Sequence, residues 1–241
     1  MPRYADVPAA ELRITPGTLV ATAGQRATAT VVVSSQLARP VTETLKVTAP
    51  EGWTVSPAQK EVTAPRGGQV AVPFEITPPA GAAGRSERLS FTFGSVTQEL
   101  QVEVHRPVAA DNLAKGRPAT ASSVEGGTVF QAAKAVDGDA ATRWSSRAAD
   151  GEWIQVELAQ PVDVGKVVLR WEAAYGSAYR IEVSADGVTW TPAAEVGAGN
   201  GGVDEVWIDS PNSTRFVRMQ GVRRATRYGY SLWEVEVHRA A

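Results

Sequence analysis

Short runs of β-branched and aromatic residues, each closed by glycine or proline, recur along this chain at roughly ten- to fifteen-residue intervals. Ala27–Val33, Glu43–Thr48, Gln69–Ile76, Glu87–Phe93 and Thr97–Val104 follow one another in the first half. Such side chains are stiff at χ1 and pack well on a pleated surface, so they favour strands over helices. Leu100, Val102 and Val104 share one face, as a half-buried strand requires. In the second half Ile154, Val156 and Leu158 alternate with Gln155 and Glu157. Tyr179, Ile181 and Val183 alternate in the same way with Arg180, Glu182 and Ser184. Asp186-Gly187 ahead of Val188-Thr189-Trp190 reads as a hairpin turn, and glycine-rich Val196–Val203 as a mobile loop. No helical period competes, so the expected class is all-β.

Composition changes at His105-Arg106-Pro107-Val108-Ala109-Ala110-Asp111: ten of the fifteen prolines precede it and six of the seven tryptophans follow it. This places one domain over 1–106, a linker over 107–110 and a second domain over 111–241, each long enough for its own core. The linker is too short to act as a free tether. The strand recurrence of the first domain predicts an immunoglobulin-like β-sandwich of about seven strands. Its one tryptophan, Trp53, is either a ligand platform or an anchor at the edge of the core, the commoner role for such a residue.

Several function classes are disfavoured by content alone. A formal net charge of −2 gives no electrostatic case for nucleic acid or anionic lipid. No apolar run approaches the roughly 20 residues of a membrane helix. Met1-Pro2-Arg3-Tyr4-Ala5-Asp6 lacks the apolar stretch of a secretory leader, so the chain is read as intracellular or as a piece of a longer secreted protein. With no cysteine there is neither disulfide nor thiolate chemistry. The two histidines, His105 and His238, fall at strand ends, and no nucleophile elbow, phosphate loop or metalloprotease motif is present. Glu125 with Glu172 is the one carboxylate pair to weigh for glycoside hydrolysis. A sandwich of this size seldom has a cleft deep enough to exclude water, so a non-enzymatic role is expected.

Asp137-Gly138-Asp139-Ala140-Ala141-Thr142 gathers two carboxylates, a turn-permitting glycine and a hydroxyl in six residues. A hard cation such as calcium collects six to eight oxygens from side chains and inward-turned carbonyls, and a loop of this kind supplies them. The EF-hand pattern is absent. A plain polar turn has the same composition, so the loop alone leaves both readings open.

Taken in order, Asn112-Leu113-Ala114, Pro118–Ser123, the Ala135–Trp144 loop, Trp153–Leu158, Tyr179–Gly187, Arg215–Arg218 and Ser231–Val237 resemble the landmarks of the discoidin domain. This is the F5/8 type C family, which includes the family 32 carbohydrate-binding modules. The resemblance spans about 111–241 and implies an antiparallel jelly roll closed by one structural calcium ion. The ligands it implies are the Lys134 carbonyl, Asp137, Asp139, Thr142, the Trp233 carbonyl and Glu234. In the first domain, Ala49-Pro50-Glu51-Gly52-Trp53 followed by Val55-Ser56-Pro57 is similar to the NEW3-type module found beside glycoside hydrolase domains. Together the resemblances imply a monomeric, non-catalytic part of a secreted bacterial glycoside hydrolase. Covalently linked to the catalytic domain, it would direct that enzyme to a polysaccharide.

Polar and aromatic residues cluster in the segments expected to be loops, which the resemblance gathers at one end of the jelly roll. The candidate saccharide contacts are Glu125, Arg143, Glu172, Tyr175, Tyr228 and Tyr230. Flat rings cover the apolar face of a pyranose, while carboxylates and a guanidinium bond its hydroxyls or amine. Trp144, Trp171 and Trp233 adjoin strands and are expected in the core. Trp171–Tyr175 with Arg224–Glu234 resembles the branch attached to chitosanases and β-1,3-glucanases more than the galactose-binding branch. Arg147-Ala148 stands where chitosan-binding relatives carry an aromatic, which leaves β-1,3-glucan open beside chitosan. A galactose-type glycan is one alternative; adhesion to phospholipid or protein is another. Membrane binding is disfavoured, since these loops offer Glu125, Glu172 and small residues rather than apolar spikes.

Overall fold

Alternation along the strands becomes two separate cores. The computed structural model describes residues 8–241; the Met1–Asp6 segment read above for a leader lies outside them. The chain divides into one unit ending at His105 and another running from Arg106 to Ala241.

The first unit is built from β1 (Ala10–Thr15), β2 (Thr18–Thr22), β3 (Ala27–Ser35), β4 (Val41–Thr48), β5 (Thr54–Ser56), β6 (Gln59–Ala64), β7 (Gln69–Thr77), β8 (Arg85–Phe93) and β9 (Val96–His105). One sheet has the order β1-β3-β7-β5 and the other β2-β9-β8-β4-β6. The count exceeds the seven or so expected because Pro16-Gly17 splits the first segment. β1 pairs antiparallel with β3 in one sheet, and β2 pairs parallel with β9 in the other. A proline cannot donate to a ladder, so the chain leaves one sheet there and joins the next. The three-residue edge strand β5 is the other addition. Val31, Val33, Leu45, Phe74, Leu89, Phe91, Leu100 and Val102 fill the core, with Phe74 edge-to-face on Phe91 at 5.1 Å. Trp53 is half-buried against this core, an anchor at its margin.

The second unit comprises β10 (Ala119–Ala121), β11 (Trp144–Ser145), β12 (Trp153–Val162), β13 (Val164–Trp171), β14 (Gly176–Ser184), β15 (Thr191–Val196), β16 (Val203–Trp207), β17 (Thr214–Arg224) and β18 (Ser231–Arg239). A five-stranded sheet, β10-β12-β17-β14-β15, and a four-stranded sheet, β11-β18-β13-β16, are antiparallel throughout. Ile154, Val156 and Leu158 point inward from β12, and Val167, Leu169, Val235 and Val237 meet them from the facing sheet. Both folds are of the expected β-sandwich class.

Two segments differ from the sequence reading. Residues 107–110, read as a linker, lie along the end of β18. Ala109 donates its amide to Arg239, Ala241 donates to Pro107, and Val108 bridges Ala240. Arg106 anchors them: its guanidinium reaches both Asp163 oxygens at 2.8 and 3.0 Å and the Ile208 carbonyl at 2.9 Å. The glycine-rich loop between β15 and β16, read as mobile, is tied down by backbone bonds from Gly199 to Ser177 and from Trp171 to Gly202. At Gly199 and Gly201 there is no space for a side chain. A Cβ at Gly199 would sit 2.2 Å from the Gly176 carbonyl oxygen.

The Arg106 hydrogen bonds hold the Asp163 carboxyl below its usual range, outweighing the opposite effect of burial. A depressed carboxyl contributes stability above its unfolded value, near 3.9, and loses it as pH falls through the folded value. Arg106→Ala is therefore expected to destabilise the second unit by about 1–3 kcal/mol at neutral pH. The gap from the parent should narrow as pH falls below about 3.9. Urea melts at the two pH values measure it; equal midpoints at neutral pH would refute the anchor.

Candidate functional site

Four loops meet at the end of the second unit where β18 begins. They enclose an open pocket of about 280 Å³ lined by Glu125, Arg143, Ser145, Ser146, Glu172, Ala173, Ala174, Thr226, Tyr228, Gly229, Tyr230 and Ser231. Its floor is the short ladder β11–β18, with Trp144 opposite Leu232 and Ser145 opposite Ser231. The Ser145 and Ser231 hydroxyls bond each other at 2.7 Å, and Ser146 Oγ accepts the Tyr230 amide at 2.9 Å. Buried hydroxyls need such partners, so the floor is a closed polar network.

Each charged group at the pocket is placed by its backbone. Glu125 is exposed, and its amide donates to the Ser145 carbonyl at 2.8 Å. Glu172 is half-buried; its amide donates to Ser231, and one carboxylate oxygen caps the Ala174 amide at 3.0 Å. Arg143 lies with its guanidinium 4.2 Å over the Phe130 ring and 5.3 Å from the Trp233 ring, its Nε donating to Ser145 Oγ at 3.3 Å. Neither glutamate has an ion-pair partner among the described residues.

The aromatic candidates separate by burial. Tyr228 is 52% exposed and is the ring open to solvent at the pocket. Tyr230 is wholly buried, so its ring belongs to the core rather than to a stacking platform. Burial raises its phenol to about 12, with Asp150 adding to the effect. Tyr175 does not line the pocket; its ring lies half-buried against Gly201 and the core. The sequence placed it among the contacts because its loop is polar, but the tied glycine loop offers it a seat on the other side. Trp144 and Trp171 are in the core as expected, while Trp233 is half-buried under Arg143.

Some supports had no signal in the sequence. Asp204 accepts from Trp171 Nε1 at 2.9 Å and from the Tyr179 hydroxyl at 2.6 Å, bracing the wall behind Tyr230. Buried Glu152 accepts hydroxyls of Ser122 and Ser123 and faces Arg147 at 3.6 Å, fixing the loop that leads to Glu125.

The oxygen-rich loop lies beside this pocket. A short 3-10 turn, Ala132–Ala135, delivers the Lys134 carbonyl, and Gly138 takes φ +78°, open to glycine and strained for most other residues. Thr142 Oγ1 stands 2.8 and 2.9 Å from the two Asp137 oxygens and 3.2 Å from both the Lys134 and Asp139 carbonyls. A hydroxyl has one proton, so it satisfies one of these four acceptors and leaves the rest crowded oxygen to oxygen. Asp139 joins with its carbonyl, because its carboxylate caps the Ala141 amide at 2.9 Å. No three acidic or histidine side chains converge on a common point among the described residues. Glu234 arrives from β18, accepting the Gly138 amide at 3.3 Å through one oxygen. Its other oxygen is buried without a partner, in a side chain 7% exposed. Burial pushes this carboxyl up to about 7; the Gly138 amide opposes, and Asp137 and Glu236 add to the rise. Asp137 is drawn the other way: burial would raise it, but the Asp139 amide, Thr142 and Lys134 together hold it below its usual range. Crowded carbonyl, hydroxyl and carboxylate oxygens around an orphaned acid fit a hard cation.

Residues 118–235 match the F5/8 type C domain, and residues 21–93 match the NPCBM-associated, NEW3 domain of alpha-galactosidase. The second unit thus belongs to the F5/8 type C family, and a NEW3 domain precedes it. Within that family the unit is similar to chitosan-binding module 1 derived from the chitosanase/glucanase of Paenibacillus sp. IK-5. The two are 44% identical with a TM-score of 0.50, over 53% of this chain and 98% of that one. Module 2 of the same protein, solved in complex with chitotriose, is 40% identical with a TM-score of 0.50, over 52% of this chain and 98% of that one. A polysaccharide lyase 8 family protein, HylA, of Enterococcus faecalis is 36% identical over 114 residues, 43% of this chain. The chain spans only 8% of that relative's length.

One close approach tests the wall of the pocket. A Cβ at Gly221 would stand 2.3–2.6 Å from the ring and hydroxyl of Tyr230. Overpacking of this kind costs about 1–3 kcal/mol, so Gly221→Ala should lower the thermal midpoint of the second unit and weaken its near-UV aromatic signal. Unchanged values for both would mean that Tyr230 has room the structure does not show.

Proposed function

We propose that the second unit is a non-catalytic carbohydrate-binding module that holds a β-linked glucosamine oligosaccharide in the pocket at the start of β18. The observation that carries this reading is the pair of carboxylates, Glu125 and Glu172, left without cationic partners beside the Arg143 guanidinium. An ammonium on the sugar supplies the missing charge, Arg143 donates to ring or hydroxyl oxygens, and Tyr228 covers an apolar sugar face. The likeness to two chitosan-binding modules supports the same ligand class. An open, shallow pocket implies weak binding, since little surface is buried against the cost of association. A neutral β-1,3-glucan is the second reading, favoured by the exposed Tyr228 ring, which covers an apolar sugar face without needing an amine on the sugar.

The loop beside the pocket binds one calcium ion in this proposal, through the Lys134 and Asp139 carbonyls, Asp137, Thr142, Glu234 and the Trp233 carbonyl. The ion neutralises the buried Glu234 and joins residues about a hundred positions apart. The chain as a whole is a targeting region of a longer secreted glycoside hydrolase. The hydrolase assignment is supported by the NEW3 domain; the likeness to a polysaccharide lyase family protein supports only the broader class of polysaccharide-degrading parents.

Calorimetric titration with chitotriose and laminaritriose at about 20 and about 200 mM salt separates the ligands, because exposed ion pairs are screened as ionic strength rises. Chitotriose affinity is expected to fall several-fold at the higher salt, and about tenfold in Glu172→Gln, or roughly 1.4 kcal/mol. Salt-independent binding of laminaritriose alone would replace the amino sugar with a neutral glucan. Binding of galactose or of phosphatidylserine vesicles, with neither oligosaccharide bound, would overturn the pocket assignment.

Calcium is expected to raise the thermal midpoint and EGTA to reverse it. A ligand at a hundred times its Kd contributes about 2.7 kcal/mol. Asp137→Ala should abolish the response. A midpoint indifferent to both calcium and chelator would remove the ion from the proposal.

A further inference from the structure

The pocket and the oxygen-rich loop share three chain segments, and Arg143 stands where all three meet. In the first segment Glu125 lines the pocket, Phe130 follows, and the Ala132–Ala135 turn then presents the Lys134 carbonyl to Thr142. The second runs from Thr142, in the loop, through Arg143 to Ser145 on the pocket floor. The third runs from Ser231 on the floor through Trp233 to the buried Glu234. The segments are stitched by the Ser145 amide on the Phe130 carbonyl at 3.2 Å and the Glu125 amide on the Ser145 carbonyl at 2.8 Å. Across them lies the Arg143 guanidinium, 4.2 Å from the Phe130 ring and 5.3 Å from that of Trp233. Its Nε bonds Ser145, and its terminal N–H groups find no protein acceptor among the described residues. The guanidinium is thus held by ring faces from the first and third segments, with its remaining donors left for a ligand.

We propose that Arg143, clamped between Phe130 and Trp233, couples the cation loop to the saccharide pocket, so that each ligand tightens the other. The inference rests on the function proposed above and adds a regulation to it. Drawing Thr142 and Glu234 onto one ion fixes the residues adjacent to them in sequence, Arg143 and Trp233. The guanidinium then meets the sugar without the ordering cost it carries when the loop is free. Phe130 and Trp233 are positioning residues here, because they act on the ligand through Arg143. Linkage requires the two effects to be equal: the factor by which calcium raises sugar affinity is the factor by which sugar raises calcium affinity.

The test titrates the full chain with calcium chloride, with and without saturating chitotriose, and with chitotriose in calcium and in EGTA. A factor of about five to ten, equal in both directions, is expected. Phe130→Leu removes one ring of the clamp and should bring the factor to about one, with calcium affinity in the absence of sugar unchanged within about twofold. Arg143→Lys keeps the charge but loses the planar stack, and should likewise bring the factor to about one if Phe130→Leu does not fold. The ratio of affinities is read, so a direct loss of sugar contact does not imitate the result. A sugar-free readout is the Arg143 Nε–H resonance, identified by its loss in Arg143→Lys, which should shift and slow its exchange with water on calcium addition. If both ligands bind with a factor of one, the coupling is overturned and the proposed function stands. A factor that survives Phe130→Leu and Arg143→Lys overturns Arg143 as its carrier. Failure of chitotriose to bind at any calcium level overturns the proposed function, and the coupling with it.

Discussion

The hydrogen-bonded ladder of β18 is the constraint on which the rest of the second unit depends. At its start it pairs with β11 and forms the pocket floor; in its middle it pairs with β13 and brings Glu234 to the oxygen-rich loop. At its end it accepts the Leu113 and Ala109 amides, which fasten the entering chain. One strand therefore sets the register of the floor, the loop and the entry together. In an antiparallel pair a slip of one residue turns every side chain to the opposite face. Such a slip would expose Leu232, Val235 and Val237 and would withdraw Glu234 from Gly138.

Charge in and around the pocket divides by what each group already holds. Asp150 is taken by Arg224 at 2.9 Å and Glu152 by two serine hydroxyls and Arg147. Arg227 turns onto the Tyr228 ring at 5.0 Å and donates to its hydroxyl. Glu125, the second carboxylate oxygen of Glu172 and the free edge of Arg143 remain uncommitted. A ligand that satisfies these without displacing the others carries positive charge near the glutamates and acceptors near the guanidinium. In the proposed reading this balance would set selectivity and the shallowness of the pocket would limit affinity.

Strands were legible in the sequence because their signal is local: period-two alternation needs no partner to be seen, and Ile154–Leu158 and Leu100–Val104 fold as they read. Glu125, Arg143 and Glu172 were legible as candidates because charge in a loop has no structural need, and the structure gathers all three at one pocket. Residues whose role depends on distant packing were not legible. Tyr230 reads like Tyr228, two places away, yet one ring fills the core over Gly221 and the other faces water. Phe130 and Asp204 have ordinary neighbours in sequence and matter only through Arg143, Trp171 and Tyr179. The 107–110 stretch has the composition of a linker, and only the arrival of β18 gives its backbone partners.

The bond between Ala241 and Pro107 places the two ends of the second unit side by side. They lie beyond the last residue of β18, eight strand steps and roughly 27 Å from the pocket at its first. A unit whose ends adjoin behaves in a longer chain like a bead on a loop: it can be spliced in or copied in tandem without parting its sheets. Because those ends sit remote from the pocket, a connection made at them does not run through it. Where a single site binds weakly, such repetition multiplies effective concentration without asking any one pocket to hold tightly.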